Sequence, residues 1–251
     1  MSGTDKKSTE KKSGGDNRWW EFYFVRYFVG TVVGGAIILY LNTSETSSLH
    51  NLIIPGVTDA SKLDAQLLSL LTAMGLAYCY ISSAPVLVLH ATRGAFLGQD
   101  MKAYRWFFYG AFVLIGVMAA GFYYLYSKPN MPMLLATVLF CVIICLQLVP
   151  LGFSLQNNGE RAHIYYSHLT KARSRDVEDV RQYIESYKHL REHGNAFFIL
   201  LFELALGVIL ASVPEPYIAF NVLVFWIIPA ALVWLIGTVL ESRFANEPPQ
   251  P

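Results

Sequence analysis

The sequence predicts an all-α integral membrane protein: six transmembrane helices with a cytosolic helical hairpin between spans 4 and 5. Three observations carry this. Of 251 residues, 54% are hydrophobic and only 15% are charged, against about 25% charged in ordinary soluble domains. The apolar residues gather into six runs, near 20–42, 65–90, 105–127, 132–153, 196–213 and 219–240, long enough to cross a hydrocarbon core of roughly 30 Å. The basic residues alternate from one connection to the next.

That alternation sets the orientation. Lys6, Lys7, Lys11, Lys12 and Arg18 precede the first span, whereas the 43–64 loop holds only Lys62. The 91–105 loop carries Arg93, Lys102 and Arg105, the next turn only Lys128, the 154–195 segment seven basic residues, and the 214–218 turn none. Six spans with both termini in the cytosol satisfy every loop. Trp19, Trp20, Trp106 and Tyr109 then mark the cytosolic interface, and Tyr123, Tyr124, Tyr126 and Tyr217 the outer one, as aromatic belts do. The expected location is the plasma membrane, which is the inner membrane in a bacterial cell.

The elements follow in order. Residues 1–17, rich in Lys, Ser and Gly, are expected to be a disordered cytosolic tail. The first apolar segment is too long for a cleaved signal and has no small-residue cleavage site, so it is expected to remain as a span. Spans 1–4 occupy 18–154, the hairpin 155–194, spans 5 and 6 195–241, and a cytosolic tail 242–251. Pro85 and Pro229 interrupt the second and sixth spans, where each removes a helical hydrogen bond. Cys79, Cys141 and Cys145 all fall inside spans and read as buried thiols. Asn42-Thr43-Ser44 has the N-glycosylation pattern, but it hugs the membrane edge and is read as chance.

Within the hairpin, Ile164, Tyr165, Leu169 and Ala172 make one partial helical face, and Val177, Val180, Ile184 and Tyr187 another. Asp176 is placed to cap the second helix, Glu178 and Asp179 suit its first turn, and Gly194 is expected to stop it. The pair would be about 25 Å long. Its apolar stripe and charged face fit either a stalk capping the bundle or a docking site for a cytosolic partner or a second copy. Lys171, Arg173 and Arg175 at the tip are diluted by Asp176, Glu178 and Asp179, so no specific nucleic acid is expected.

His189 to His193 spell H-x-x-E-H, and two histidines four apart project from one helix face, a spacing suited to a shared metal. With a turn near 174, His163 would face them. A peptidase of that pattern needs another carboxylate ligand and a domain shaping a cleft, neither of which the connections leave room for. His163, His189 and His193 are thus the weakest candidates, and no metal or cofactor is expected. Arg161 and His168 share a loose spacing with helical ribonucleases that has no weight without that domain.

The ionisable residues within spans are more informative, because each costs several kcal/mol in hydrocarbon unless paired or hydrated. Arg26 and Glu203 lie at matching depth, about 10 Å beyond the cytosolic ends of the first and fifth spans. Each heads a stripe of small residues at four-residue steps: Gly30 and Gly34 after Arg26, Gly207 and Ala211 after Glu203. Such stripes let backbones approach closely. The expectation is an Arg26–Glu203 pair, extended by Gln147 and bordered by His90, which either fixes which helices meet or lines a hydrated vestibule.

No nucleotide-binding loop, dinucleotide fingerprint or hydrolase triad occurs. The expected function is a non-enzymatic multi-pass component of an oligomeric or multiprotein assembly, with the hairpin receiving a signal or partner. Its bundle would respond as scaffold, channel or membrane-perturbing effector, a general build shared by small proteins of bacterial stress and antiviral systems. A small ion- or proton-coupled transporter using Glu203 and Arg26 is the alternative, and a metalloenzyme using the hairpin histidines comes last. The expected partners are the bilayer, further copies of the chain and a cytosolic protein.

Overall fold

The computed structural model describes residues 19–59, 61, 63–96, 108–113, 115–117, 120, 131–155, 164, 165, 168 and 178–245; within these, the side chains of 19–26, 95, 96, 178–193, 240 and 243–245 are left undescribed. Its elements are helices: α1 (Trp19–Thr43), α2 (Ala65–Ser82), α3 (Ala84–Ala91), a 3₁₀ turn (Arg93–Phe96), α4 (Met131–Leu155), α5 (Glu178–Ser212) and α6 (Pro216–Ala245). No strand occurs among the described residues.

Four stretches are long and apolar enough to cross a membrane: Ala65–Ala91, Met131–Leu155, Gly194–Ser212 and Pro216–Val239. Two shorter apolar helices, Tyr27–Thr43 and Phe108–Val117, fall within the other two runs. Residues 1–18 and 246–251, and most of 156–177, where the first hairpin helix and its turn are expected, lie outside the described residues, including Arg161, Asp176 and the tip cations.

Helix α5 sits at the centre, touching α1, α2, α3 and α4, while α1 packs most extensively on α2. Phe202, Leu206, Ile209 and Leu210 of α5 meet Val222 and Trp226 of α6 in the core. Outward faces carry large apolar side chains such as Phe112, Leu135, Phe220 and Trp234, as expected where the solvent is lipid.

The second span is two helices. Pro85 lies in the first turn of α3 and Ser83 joins α2 to α3, at the position where the missing proline N–H breaks the ladder. The opened backbone is covered locally: Ser82 Oγ donates to the Cys79 carbonyl (3.0 Å) and Ser83 Oγ to that of Tyr80 (2.9 Å). The indole Nε1 of fully buried Trp226 donates to the Ser82 carbonyl at 3.2 Å. In hydrocarbon each uncovered carbonyl would cost several kcal/mol. Pro229, by contrast, is carried inside α6, as Pro150 is inside α4.

One expectation needs revision. Gly194 does not stop a helix: α5 runs without interruption from Glu178 to Ser212, so the charged segment ending in HLREH and the fifth span are one rod. A helical glycine costs only about 1 kcal/mol relative to alanine, less than opening backbone groups where the helix enters a bilayer. Asn42, whose triplet reads as a chance match to the glycosylation pattern, has a structural role. It is fully buried, its amide donates to the carbonyls of Ile54 (3.1 Å) and Val57 (2.7 Å), and its Oδ1 accepts from the N–H groups of Ile53 (3.1 Å) and Ile54 (2.8 Å). One side chain thus folds the 44–57 loop over the helix ends, with Leu49 and Ile54 reaching the core.

Candidate functional site

The site is built on a close crossing of α1 and α2. A Cβ on Gly75 would collide with the Thr31 carbonyl oxygen and lie 2.6 Å from the Gly35 nitrogen; one on Gly34 would lie 2.6 Å from the Gly75 carbonyl oxygen. Only glycine permits this approach of backbones, the use such residues have between membrane helices. One turn along, the same two faces present Gly30 and Cys79, and α5 enters there with Glu203.

Glu203 is fully buried. A Cβ on Gly30 would meet Cys79 Sγ and lie 2.9 Å from Glu203 Oε1, so the carboxyl occupies the space glycine leaves open. The Cys79 thiol interacts with the carboxyl, but a thiol is a weak donor, and neither carboxyl oxygen has a regular hydrogen bond among the described residues. The main chain is tied instead. Tyr78 Oη donates to the Glu203 carbonyl at 3.0 Å, and a Cβ on Gly207 would lie 3.0 Å from Ile37 Cγ2 and 3.4 Å from Tyr78 Oη.

Glu203, Gly30, Gly34 and Gly207 therefore converge on one three-helix junction, with Ala211 half-buried a turn beyond Gly207. Arg26 belongs to α1 one turn before Gly30; its side chain lies outside the description. The small-residue stripe of α1 is shared, since Gly34 seats on Gly75 of α2 while Gly30 faces both Cys79 and Glu203. Gly75, Tyr78 and Cys79 were not singled out as site residues in the sequence. The four-residue step from Gly75 to Cys79 was the available signal.

Gln147 and His90 stand apart from this junction in their hydrogen bonding. Gln147 is fully buried in α4, where its Nε2 reaches back to the Ile143 carbonyl at 3.5 Å and its Oε1 has no hydrogen-bond partner among the described residues. His90, at the end of α3, accepts from Arg93 Nη1 at 3.3 Å. The Arg93 guanidinium also lies 5.5 Å from the Tyr165 ring centroid, and a Cβ on Gly94 would lie 2.6 Å from Tyr165 Cγ. Tyr165 thus packs against the turn after α3.

His163 lies outside the described residues, and His189 and His193 are on the α5 rod with side chains outside the description. Among the described residues no group of three His, Cys, Asp or Glu side chains could hold a metal ion. The chain matches no protein family, no curated protein and no solved structure at a significant level.

Proposed function

We propose that the chain is a non-enzymatic, six-span component of an oligomeric or multiprotein membrane assembly, in which a partner binding the cytosolic hairpin changes the packing of the bundle. The unbroken helix α5 supports this reading most directly. Its 35 residues make a rod about 52 Å long at 1.5 Å per residue, carrying the charged segment at one end and Glu203 in its apolar half. Force on the outer segment reaches Glu203 without crossing a hinge. Affinity capture from native membranes after chemical cross-linking should recover a stoichiometric partner or second copy cross-linked through 178–193. A monomer with no cross-linked species would remove the proposal.

A second reading, proton- or ion-coupled permeation with Glu203 and Arg26 as its charged pair, is favoured by the buried Glu203 carboxyl that no regular hydrogen bond satisfies among the described residues. In liposomes containing a pH-sensitive dye, this reading requires proton flux that Glu203→Gln abolishes while the fold is kept. Flux unchanged by the substitution, or absent from both proteins, rejects it.

A further inference from the structure

A lateral groove of about 630 Å³ runs between α2, α3, α5 and α6, with Tyr27 of α1 at its edge. The volume falls within the roughly 300–1,000 Å³ that holds small organic ligands. We infer that this groove binds an anionic glycerophospholipid, its acyl chain along the apolar wall and its phosphate at the His90–Asn195 end.

The lining changes character along its length. Ile81, Leu87, Ile199, Ile227 and Ala230 form the apolar wall. His90 is the penultimate residue of α3, Asn195 the second residue of the apolar half of α5, and Trp234 lies far along α6. The span directions read from the basic residues bring all three to the cytosolic interface, where headgroups lie. Leu87, Ile227 and Trp234 are also exposed on the outer flank of the bundle, the surface that spans turn toward lipid. An amphiphile entering from the bilayer matches this arrangement.

The headgroup charge follows from the guanidinium behind the groove wall. Arg93 Nη1 lies 3.3 Å from His90 Nε2, which brings a fixed positive charge up to the ring that lines the groove. Asn195 adds an amide at the same end. The guanidinium stands one bond behind His90, its Nε buried without a hydrogen-bond partner among the described residues, and among the described residues no acidic side chain lines the groove. Basic sites between helices on the cytosolic side favour anionic headgroups. Among the described residues, the larger groove between α1 and α2 has only Thr31, Ser69 and Thr72 as polar side chains besides Tyr27, and no charged one.

Native mass spectrometry of the full chain in a non-ionic detergent, titrated with phosphatidylglycerol or with phosphatidylcholine of the same acyl chains, tests the assignment. The wild type should hold at least fivefold more phosphatidylglycerol. Ala231→Trp, at an exposed position of the groove wall, should lower that occupancy at least fivefold, and Arg93→Gln should reduce it to the phosphatidylcholine level. Because Arg93 also packs on Tyr165, His90→Phe provides an independent headgroup variant, and only variants eluting like the wild type on size exclusion are compared. Equal occupancy by the two lipids overturns the anionic assignment, and phosphatidylglycerol binding undiminished by Ala231→Trp overturns the groove.

Discussion

Replacing Gly75 by alanine tests the α1–α2 crossing on which the Glu203 junction rests. The added methyl would strike the Thr31 carbonyl oxygen and lie 2.6 Å from the Gly35 nitrogen and 3.0 Å from its Cα. All three are main-chain atoms, so no side-chain rotation relieves the overlap and the helices must separate toward the ordinary 3.3–3.6 Å carbon–oxygen contact. Overpacking costs typically 1–3 kcal/mol, and a backbone obstacle puts this substitution near the upper end, about 3 kcal/mol. The control is Gly237→Ala in α6, where a Cβ meets nothing within 4 Å and helix propensity favours alanine by roughly 0.5–1 kcal/mol. Thermal unfolding in detergent, read by fluorescence-detected size exclusion, should rank Gly237→Ala at or above wild type and Gly75→Ala far below. Maleimide labelling of Cys79, fully buried beside the crossing, should accelerate in the alanine variant. Equal stability of the two variants, with Cys79 still protected, would refute the close crossing.

Further outcomes follow from the same packing. Asn42→Ala leaves the Ile53 and Ile54 N–H groups without their acceptor, at about 1–3 kcal/mol for each buried unsatisfied group; the 44–57 loop should become cleavable by limited proteolysis while the helical circular dichroism is retained. Trp226→Phe removes the donor to the Ser82 carbonyl and opens space in the core, and a loss of about 2 kcal/mol should lower Tm by roughly 4–8 °C. At Gly194 a Cβ meets nothing within 4 Å, so Gly194→Ala should strengthen α5 by roughly 0.5–1 kcal/mol. Slower amide hydrogen exchange around 190–198 is the expected readout, and faster exchange would contradict an unbroken rod.

The features visible in the sequence are those with a period or a chemical contradiction. Apolar runs announce helices, and a carboxylate at position 203 inside one is conspicuous because hydrocarbon penalises it. Gly30 and Gly34 are readable as a close-packing stripe, but α2 carries its answering surface in Gly75 and Cys79, scattered within an ordinary apolar run. Proximity in space left only the weak four-residue signal there. Pro85 marks a real break, whereas α4 and α6 continue through Pro150 and Pro229. Asn42 was least legible: its bonds span 11–15 residues through a loop with no period, and the only local pattern there was a glycosylation triplet. Gly194 does not stop the helix because a glycine stop there is a local preference of about 1 kcal/mol, and α5 runs on through it.

The break at Ser83 also bears on membrane thickness. Ala65–Ala91 spans 27 residues, which as a straight helix would measure about 40 Å, against a hydrocarbon core of roughly 30 Å. Its neighbour on α5, Gly194–Ser212, has only 19 residues, about 28 Å. A stiff second span would therefore have to tilt away from α5 or drag the bilayer thicker around it, at fractions of a kcal/mol per Å of mismatch. The interruption between α2 and α3 gives the longer segment a place to take up the excess. The indole of Trp226 is bonded to the carbonyl at that place.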